Sequence, residues 1–254
     1  MKNHSRKVPK IKMAIWGIAI ILFSACSPQL HKSSSFELLS IDPLTTIDKD
    51  FEEIIAPYKV RLDAEMNKVI ARSEKELTKG GKGETALGNL VADLQKEFSQ
   101  EKFNLPVDIS VVNNGGLRNS LPKGDITVGN IFELAPFENF IYILELNAED
   151  VKRLGEYAVK GKNLGLTGLH LEAKENNLNI LTVNGEALDH SRKYLVAIND
   201  YLANGGDRMD FLVDLPRVKS SNILMREMLL DKIKALTTEG KKVDAAIEGR
   251  QIYK

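Results

Sequence analysis

From about residue 47 onward the sequence predicts an α+β domain, a single domain around one mixed β-sheet with flanking helices. Two observations carry this. Amphipathic helical stripes alternate irregularly with short apolar runs, and the order contains a hairpin signal as well as helix crossovers. No repeat and no internal boundary interrupts residues 47–254. Between Asp48 and Lys68, Phe51, Ile54, Ile55, Tyr58, Leu62 and Met66 recur at helical spacing, with Pro57 inside the pattern as a kink or a late start. Lys68 to Leu77 reads as extended and Lys79 to Gly83 as a loop. Glu84 to Gln100 is the clearest helix, striped by Leu87, Leu90, Val91, Leu94 and Phe98. Gly88 interrupts it, and a helix-interior glycine costs about 1 kcal/mol against alanine, so close packing against the sheet is expected there.

A buried strand at 107–112 follows, then a short helix at 128–134 and a strand at 140–146. Asn147 caps a helix that runs to about Lys160 and ends at Gly161. Strands are expected at 169–172, 180–183 and 194–198, with Asn184-Gly185 as a type I′ hairpin turn. A last helix is expected from Ser220 to Glu239, and an edge strand from Val243 to Tyr253.

The N-terminus reads as a targeting segment. Lys2, Arg6, Lys7, Lys10 and Lys12 precede an apolar run from Met13 to Ala25, and no acidic residue occurs in residues 1–25. A bilayer span needs about 20 apolar residues, so the run fits a signal peptide better than a transmembrane helix. Leu22-Phe23-Ser24-Ala25-Cys26 resembles a bacterial lipobox, although Phe23 stands where leucine or valine is usual. Cys26, the only cysteine, would then carry the lipid after cleavage. The alternative is a plain signal peptide with an incidental cysteine. The expected organisation is a lipoprotein signal peptide at 1–25, a flexible Ser-rich tether at 26–46 and the folded domain at 47–254. The implied place is the bacterial cell envelope, lipid-anchored, periplasmic or surface-facing.

The formal net charge is zero, and without the basic leader the remainder is mildly acidic, which gives no electrostatic reason to hold nucleic acid polymers. The domain contains only His170 and His190, expected to be structural or surface residues, and neither HExxH nor CxxC occurs, so no metal site is expected. There is no GxSxG nucleophile elbow. What remains is a binding constellation. Two Gly-Gly loops each follow a buried strand, one contributing Arg118 and the other Asp207. Arginine meets a phosphate or carboxylate with two hydrogen bonds, and aspartate suits ribose hydroxyls. Phe137 and Tyr201 lie in loops. Two readings fit these residues: an aromatic slot for a flat heterocycle, or two core aromatics, one structural ion pair and two tight turns.

The motifs themselves then carry a resemblance. Leu87-Gly88-Asn89-Leu90-Val91-Ala92-Asp93, Asn113-Asn114-Gly115-Gly116-Leu117-Arg118-Asn119-Ser120, Gly124-Asp125-Ile126-Thr127, Pro136-Phe137-Glu138-Asn139 and Asn204-Gly205-Gly206-Asp207 occur in order. From about Phe51 to its end the chain resembles the C-terminal, substrate-recognition domain of 5′-nucleotidases. The resemblance implies that Phe137 and Tyr201 sandwich a nucleobase; the second is commonly phenylalanine in the family. It implies that Asp207 binds ribose hydroxyls, that Arg118 serves the ribose–phosphate side, and that Asn113 and Asn139 lie at the base edge. Gly161 falls near a glycine that lines the same pocket. The sequence departs from the family just before Leu87, where Lys79 and Lys82 stand in a region that often carries arginines. The family's N-terminal domain, which holds two metals and performs hydrolysis, has no counterpart in this sequence.

Three expectations follow. The first is a substrate-recognising half of a split nucleotide phosphoesterase, with no cofactor in this chain and divalent metals in a separate metallophosphoesterase partner. The second is a nucleoside- or nucleotide-binding envelope lipoprotein with no catalytic partner. The third is an envelope protein that kept the fold and lost the ligand.

Overall fold

The computed structural model of the chain describes residues 34–38 and 48–254. The expected signal segment, Cys26 and most of the tether lie outside the described residues. No helix among the described residues is long and apolar enough to cross a membrane.

At the centre stands a mixed five-stranded sheet in the order β10-β4-β9-β2-β5. Its strands are β2 (Ile109–Asn113), β4 (Phe140–Leu146), β5 (Leu164–Thr167), β9 (Tyr194–Asn199) and β10 (Arg217–Leu224). Only β2 and β9 run parallel; every other pairing in this sheet is antiparallel. The single sheet expected from sequence is therefore three. A two-stranded ribbon joins β1 (Val69–Ser73) to β3 (Gly124–Thr127). A four-stranded sheet holds β6 (Leu169–Lys174), β7 (Asn177–Val183), β8 (Glu186–Ala187) and β11 (Gln251–Tyr253) in the order β11-β6-β7-β8.

Strand alternation sends side chains of the central sheet into two separate cores. Val112 and Ile141 face one core, filled by α2 (Ala86–Phe103), α3 (Val128–Leu134), α6 (Met225–Thr238) and the small ribbon. Ile109, Val111, Leu144 and Val196 face the other, filled by α4 (Ala148–Gly161) and the four-stranded sheet. Helix α2 is positioned by three local devices. Thr85 caps it by accepting from the Gly88 amide at 3.0 Å, its stripe Leu87, Leu90, Val91, Leu94 and Phe98 is buried, and Asn104 ends it in the left-handed region. The buried Gln95 amide then donates to Ser110 Oγ and to the carbonyls of Val111 and Ala197 at 3.0–3.1 Å, pinning the helix on the β2–β9 junction.

Gly88 does mark a close approach to the sheet. A Cβ built on Gly165 of β5 would lie 2.5 Å from the Gly88 carbonyl oxygen, so the two backbones pass where no side chain fits. At the hairpin, Asn184 (φ 51°) and Gly185 (φ 86°) both take positive φ, as a type I′ turn demands.

Five elements differ from expectation. Strands β3 and β5 are too short, at four residues each, to leave a periodic signal. Residues 220–224 belong to β10, because they pair with β4 instead of opening the last helix. Of the expected C-terminal strand only Gln251–Tyr253 forms, against β6, with Val243 making a lone bridge to Ser73. Helix α1 (Lys49–Met66) runs unbroken through Pro57, yet none of its residues is buried. Ile54 and Tyr58 are 64% and 72% exposed, and of the expected apolar stripe Met66, at the helix end, is the residue seen to pack against the core.

Gly165→Ala is expected to cost about 1–3 kcal/mol by overpacking. Gly80→Ala, where nothing lies within 4 Å, should stay within about 0.5 kcal/mol. Urea unfolding of both variants checks this. A second expectation concerns pH. Burial, with the Glu84 carboxylate nearby, pushes the Tyr253 phenol up to about 12. A group whose neutral form is favoured on folding lends stability that is full below its unfolded pKa of 10.0 and is lost as pH rises towards about 12. Urea midpoints should therefore fall across that window, and less so in Tyr253→Phe.

Candidate functional site

The parallel β2–β9 pair places the C-terminal ends of both strands at one edge of the central sheet. Strands β4 and β5 run antiparallel to these neighbours, so both begin at that same edge. Four loops distant in sequence thus converge. The first leaves β2 through Asn113, Gly115 and Gly116. The second enters β4 through Phe137 and Asn139. The third enters β5 through Asn163. The fourth leaves β9 through Asn199, which caps the short helix α5 (Asp200–Ala203) and leads to Gly205-Gly206-Asp207.

Together they enclose a cavity of about 500 Å³. Of the seven expected binding residues, Asn113, Arg118, Phe137, Asn139, Tyr201 and Asp207 line it. Gly161 does not. Helix α4 continues through Gly161, and Lys162, left-handed at φ 47°, turns the chain so that Asn163 reaches the rim. The backbone carbonyl of Asn163 accepts from the Asn114 amide at 2.9 Å, which ties the third loop to the first.

Phe137 and Tyr201 are 49% and 46% exposed, so neither is a core aromatic. The Arg118 guanidinium lies 5.9 Å from the centre of the Phe137 ring, within cation–π range. Lys79 donates to the Leu117 carbonyl at 2.5 Å and does not line the cavity, and neither does Lys82. Among the described residues the cavity is therefore lined by one guanidinium and no lysine.

Asn113 is 5% exposed and its amide is engaged at both ends. Its nitrogen donates to Asp207 Oδ2 at 2.9 Å, and its oxygen accepts from Asn199 at 3.2 Å. It acts as a strut under Asp207. Asn139 donates to Asp200 Oδ1 at 3.1 Å. That same carboxylate oxygen accepts from the Phe140 and Tyr201 amides at 3.1 and 2.8 Å. Asp200 thereby joins the Phe137 wall to the Tyr201 wall, a role no sequence motif marks. Arg217 of β10 steadies the fourth loop by donating to Ala203 O and Asn204 Oδ1.

His170 is a half-exposed partner of Glu172, and His190 is exposed beside Glu149. Among the described residues no group of three or more His, Cys, Asp or Glu is placed to hold a metal ion. The residues at the cavity can stack on a flat ring, accept from hydroxyls and meet one anionic group. They do not form a nucleophile–base pair or a metal donor set.

Comparison with known proteins follows the same outline. The sequence model of the family described as 5′-nucleotidase, C-terminal domain, matches residues 66–214. The trifunctional nucleotide phosphoesterase protein YfkN of Bacillus subtilis is 25% identical over 241 residues, covering 85% of this chain and 16% of that protein. Protein UshA of Escherichia coli is 24% identical over 185 residues, covering 69% of this chain and 32% of its own length. The crystal structure of a 5′-nucleotidase precursor from Thermus thermophilus superposes with a TM-score of 0.67 at 28% identity, over 81% of this chain and 43% of that one. The chain thus spans a third or less of the length of these two curated relatives.

Asn113→Ala is expected to lose about 1–3 kcal/mol of stability, because the partners of a buried amide are left unpaired. Thermal or urea unfolding measures it.

Proposed function

This chain belongs to the 5′-nucleotidase C-terminal domain family, and from that premise we propose that it supplies the nucleoside-recognition site of a 5′-nucleotidase-type phosphoester hydrolase. The metal-dependent catalytic part resides on a separate metallophosphoesterase chain, and the pair acts in nucleotide breakdown. One observation carries the reading: Arg118, Phe137 and the pair Tyr201 and Asp207, from three separate loops, line a single cavity. Stacking on two aromatic faces is worth about 1–3 kcal/mol per base. The Asp207 carboxylate accepts from the ribose hydroxyls, and Arg118 meets the phosphate side. On this reading the divalent metals belong to the partner; that the described residues offer no donor cluster is in keeping with it. We place the chain in the cell envelope, anchored through a lipid on Cys26. A likeness to cell wall protein Lmo0130 of Listeria monocytogenes, 25% identical over 240 residues, supports the envelope.

Among the described residues a single guanidinium lines the cavity, and one alone gives a phosphate little hold. That observation favours a second reading, a nucleoside-capturing envelope lipoprotein without a catalytic partner.

Calorimetry with adenosine, AMP and a UDP-sugar tests the site. Phe137→Ala and Tyr201→Ala are each expected to weaken binding by about thirty-fold, the middle of the stacking range; unchanged affinity would sink the aromatic slot. Phosphatase assays with divalent metal separate the two readings. Activity is expected only after mixing with the partner phosphoesterase, and robust activity of this chain alone would refute the two-chain enzyme.

A further inference from the structure

We propose that Tyr157 and Tyr201 are positioning residues for Asp207: the Tyr157 hydroxyl holds its backbone and the Tyr201 hydroxyl holds both backbone and carboxylate, so that before any ligand arrives the carboxylate has the orientation that meets the sugar of a nucleoside. The inference rests on the nucleoside reading above.

The loop that carries Asp207 is strained. Gly205 has φ 90°, and two non-glycine residues follow in the left-handed region, Asp207 at 54° and Arg208 at 66°. Such residues cost free energy and persist only where the surroundings over-determine them. Four hydrogen bonds supply that determination. Tyr157, on α4, donates to the Asp207 carbonyl at 2.7 Å. The Tyr201 hydroxyl accepts from the Asp207 amide at 3.2 Å and donates to Asp207 Oδ1 at 2.8 Å, so one oxygen fixes both backbone and side chain. Asn113 holds Oδ2 at 2.9 Å.

The two tyrosines act from different sides. Tyr201 lines the cavity, and its ring lies so close to Gly206 that a Cβ there would meet ring carbons at 2.6 Å. Tyr157 does not line the cavity. Its ring packs near Phe211, with centroids 6.4 Å apart, and its hydroxyl reaches Asp207 from behind. Burial, together with the Asp207 carboxylate, raises the Tyr157 phenol above its ordinary range and keeps it a donor. An ionised carboxylate offers about four lone-pair sites. Asn113 and Tyr201 take one on each oxygen, which leaves acceptor capacity for sugar hydroxyls.

The test is calorimetry on the full chain with two ligand pairs, adenosine against adenine and uridine against uracil, scored on whichever pair binds. Tyr157→Phe and Tyr201→Phe keep both rings. Tyr157→Phe is expected to lower nucleoside affinity about five- to ten-fold, the effect of one hydrogen bond, while the free base keeps its affinity within about two-fold; Tyr201→Phe, which removes two hydrogen bonds to Asp207, is expected to cost the nucleoside at least as much and more than it costs the base. Equal losses for nucleoside and base, or no loss, overturn the proposal, since a merely structural role moves both ligands together. A second arm uses an Asp207→Ala background, where Tyr157→Phe should leave nucleoside affinity unchanged; a further loss there overturns the proposal. Wild-type protein that binds neither pair, or binds base and nucleoside alike, refutes the nucleoside reading itself.

Discussion

The pairing of β2 with β9 is the constraint on which the rest of the structure depends. It is the one parallel contact in a sheet otherwise built from antiparallel neighbours. Reversing either strand would send Asn113 and Asn199 to opposite edges, and the two Gly-Gly loops would never meet. The pair is correspondingly reinforced. Gln95 reaches from α2 to carbonyls on both strands, and Gly88 lets that helix sit against the neighbouring β5 backbone. A buried amide with three acceptors is a costly thing to misplace, so it selects one register as well as stabilising it.

From that edge outward, polar contacts divide the labour. Asp200 gathers backbone and side-chain donors from two loops and holds the cavity walls together. Asp207 faces the cavity and is itself held. The two carboxylates differ in what surrounds them, not in what they are. One oxygen of Asp200 gathers three scaffold donors, whereas each oxygen of Asp207 takes one and keeps capacity for a ligand. The aromatic surfaces stay half exposed because the loops, and not the core, carry them.

Much of this was legible in the sequence, and the reason is local constraint. Gly115-Gly116, Pro136-Phe137 and Gly205-Gly206-Asp207 are short strings that stand out at strand ends, and their order along the chain carries the family resemblance that assigns them to one site; their spacing alone fits a slot or plain turns equally. Helices α2 and α4 carry complete stripes and caps, and their bounds fell within a few residues of expectation. Tyr157, Asn163 and Asp200 were not legible. Each occupies an ordinary helix or turn position, and its role exists only through a partner far along the chain. The division of strands among three sheets was hidden likewise, since pairing is decided by neighbours and not by alternation. Residues 220–224 show the same competition, with β4 capturing them before the helix could begin.

Helix α1 has a consequence for how the molecule breathes. None of its residues is buried, so its hydrogen bonds lack the shelter that the central sheet gives its own. Opening it exposes almost no core and leaves β2–β9 untouched. The native state is thus graded in rigidity: amide protons of α1 trade with solvent through local fraying, while those of the central strands wait for global unfolding.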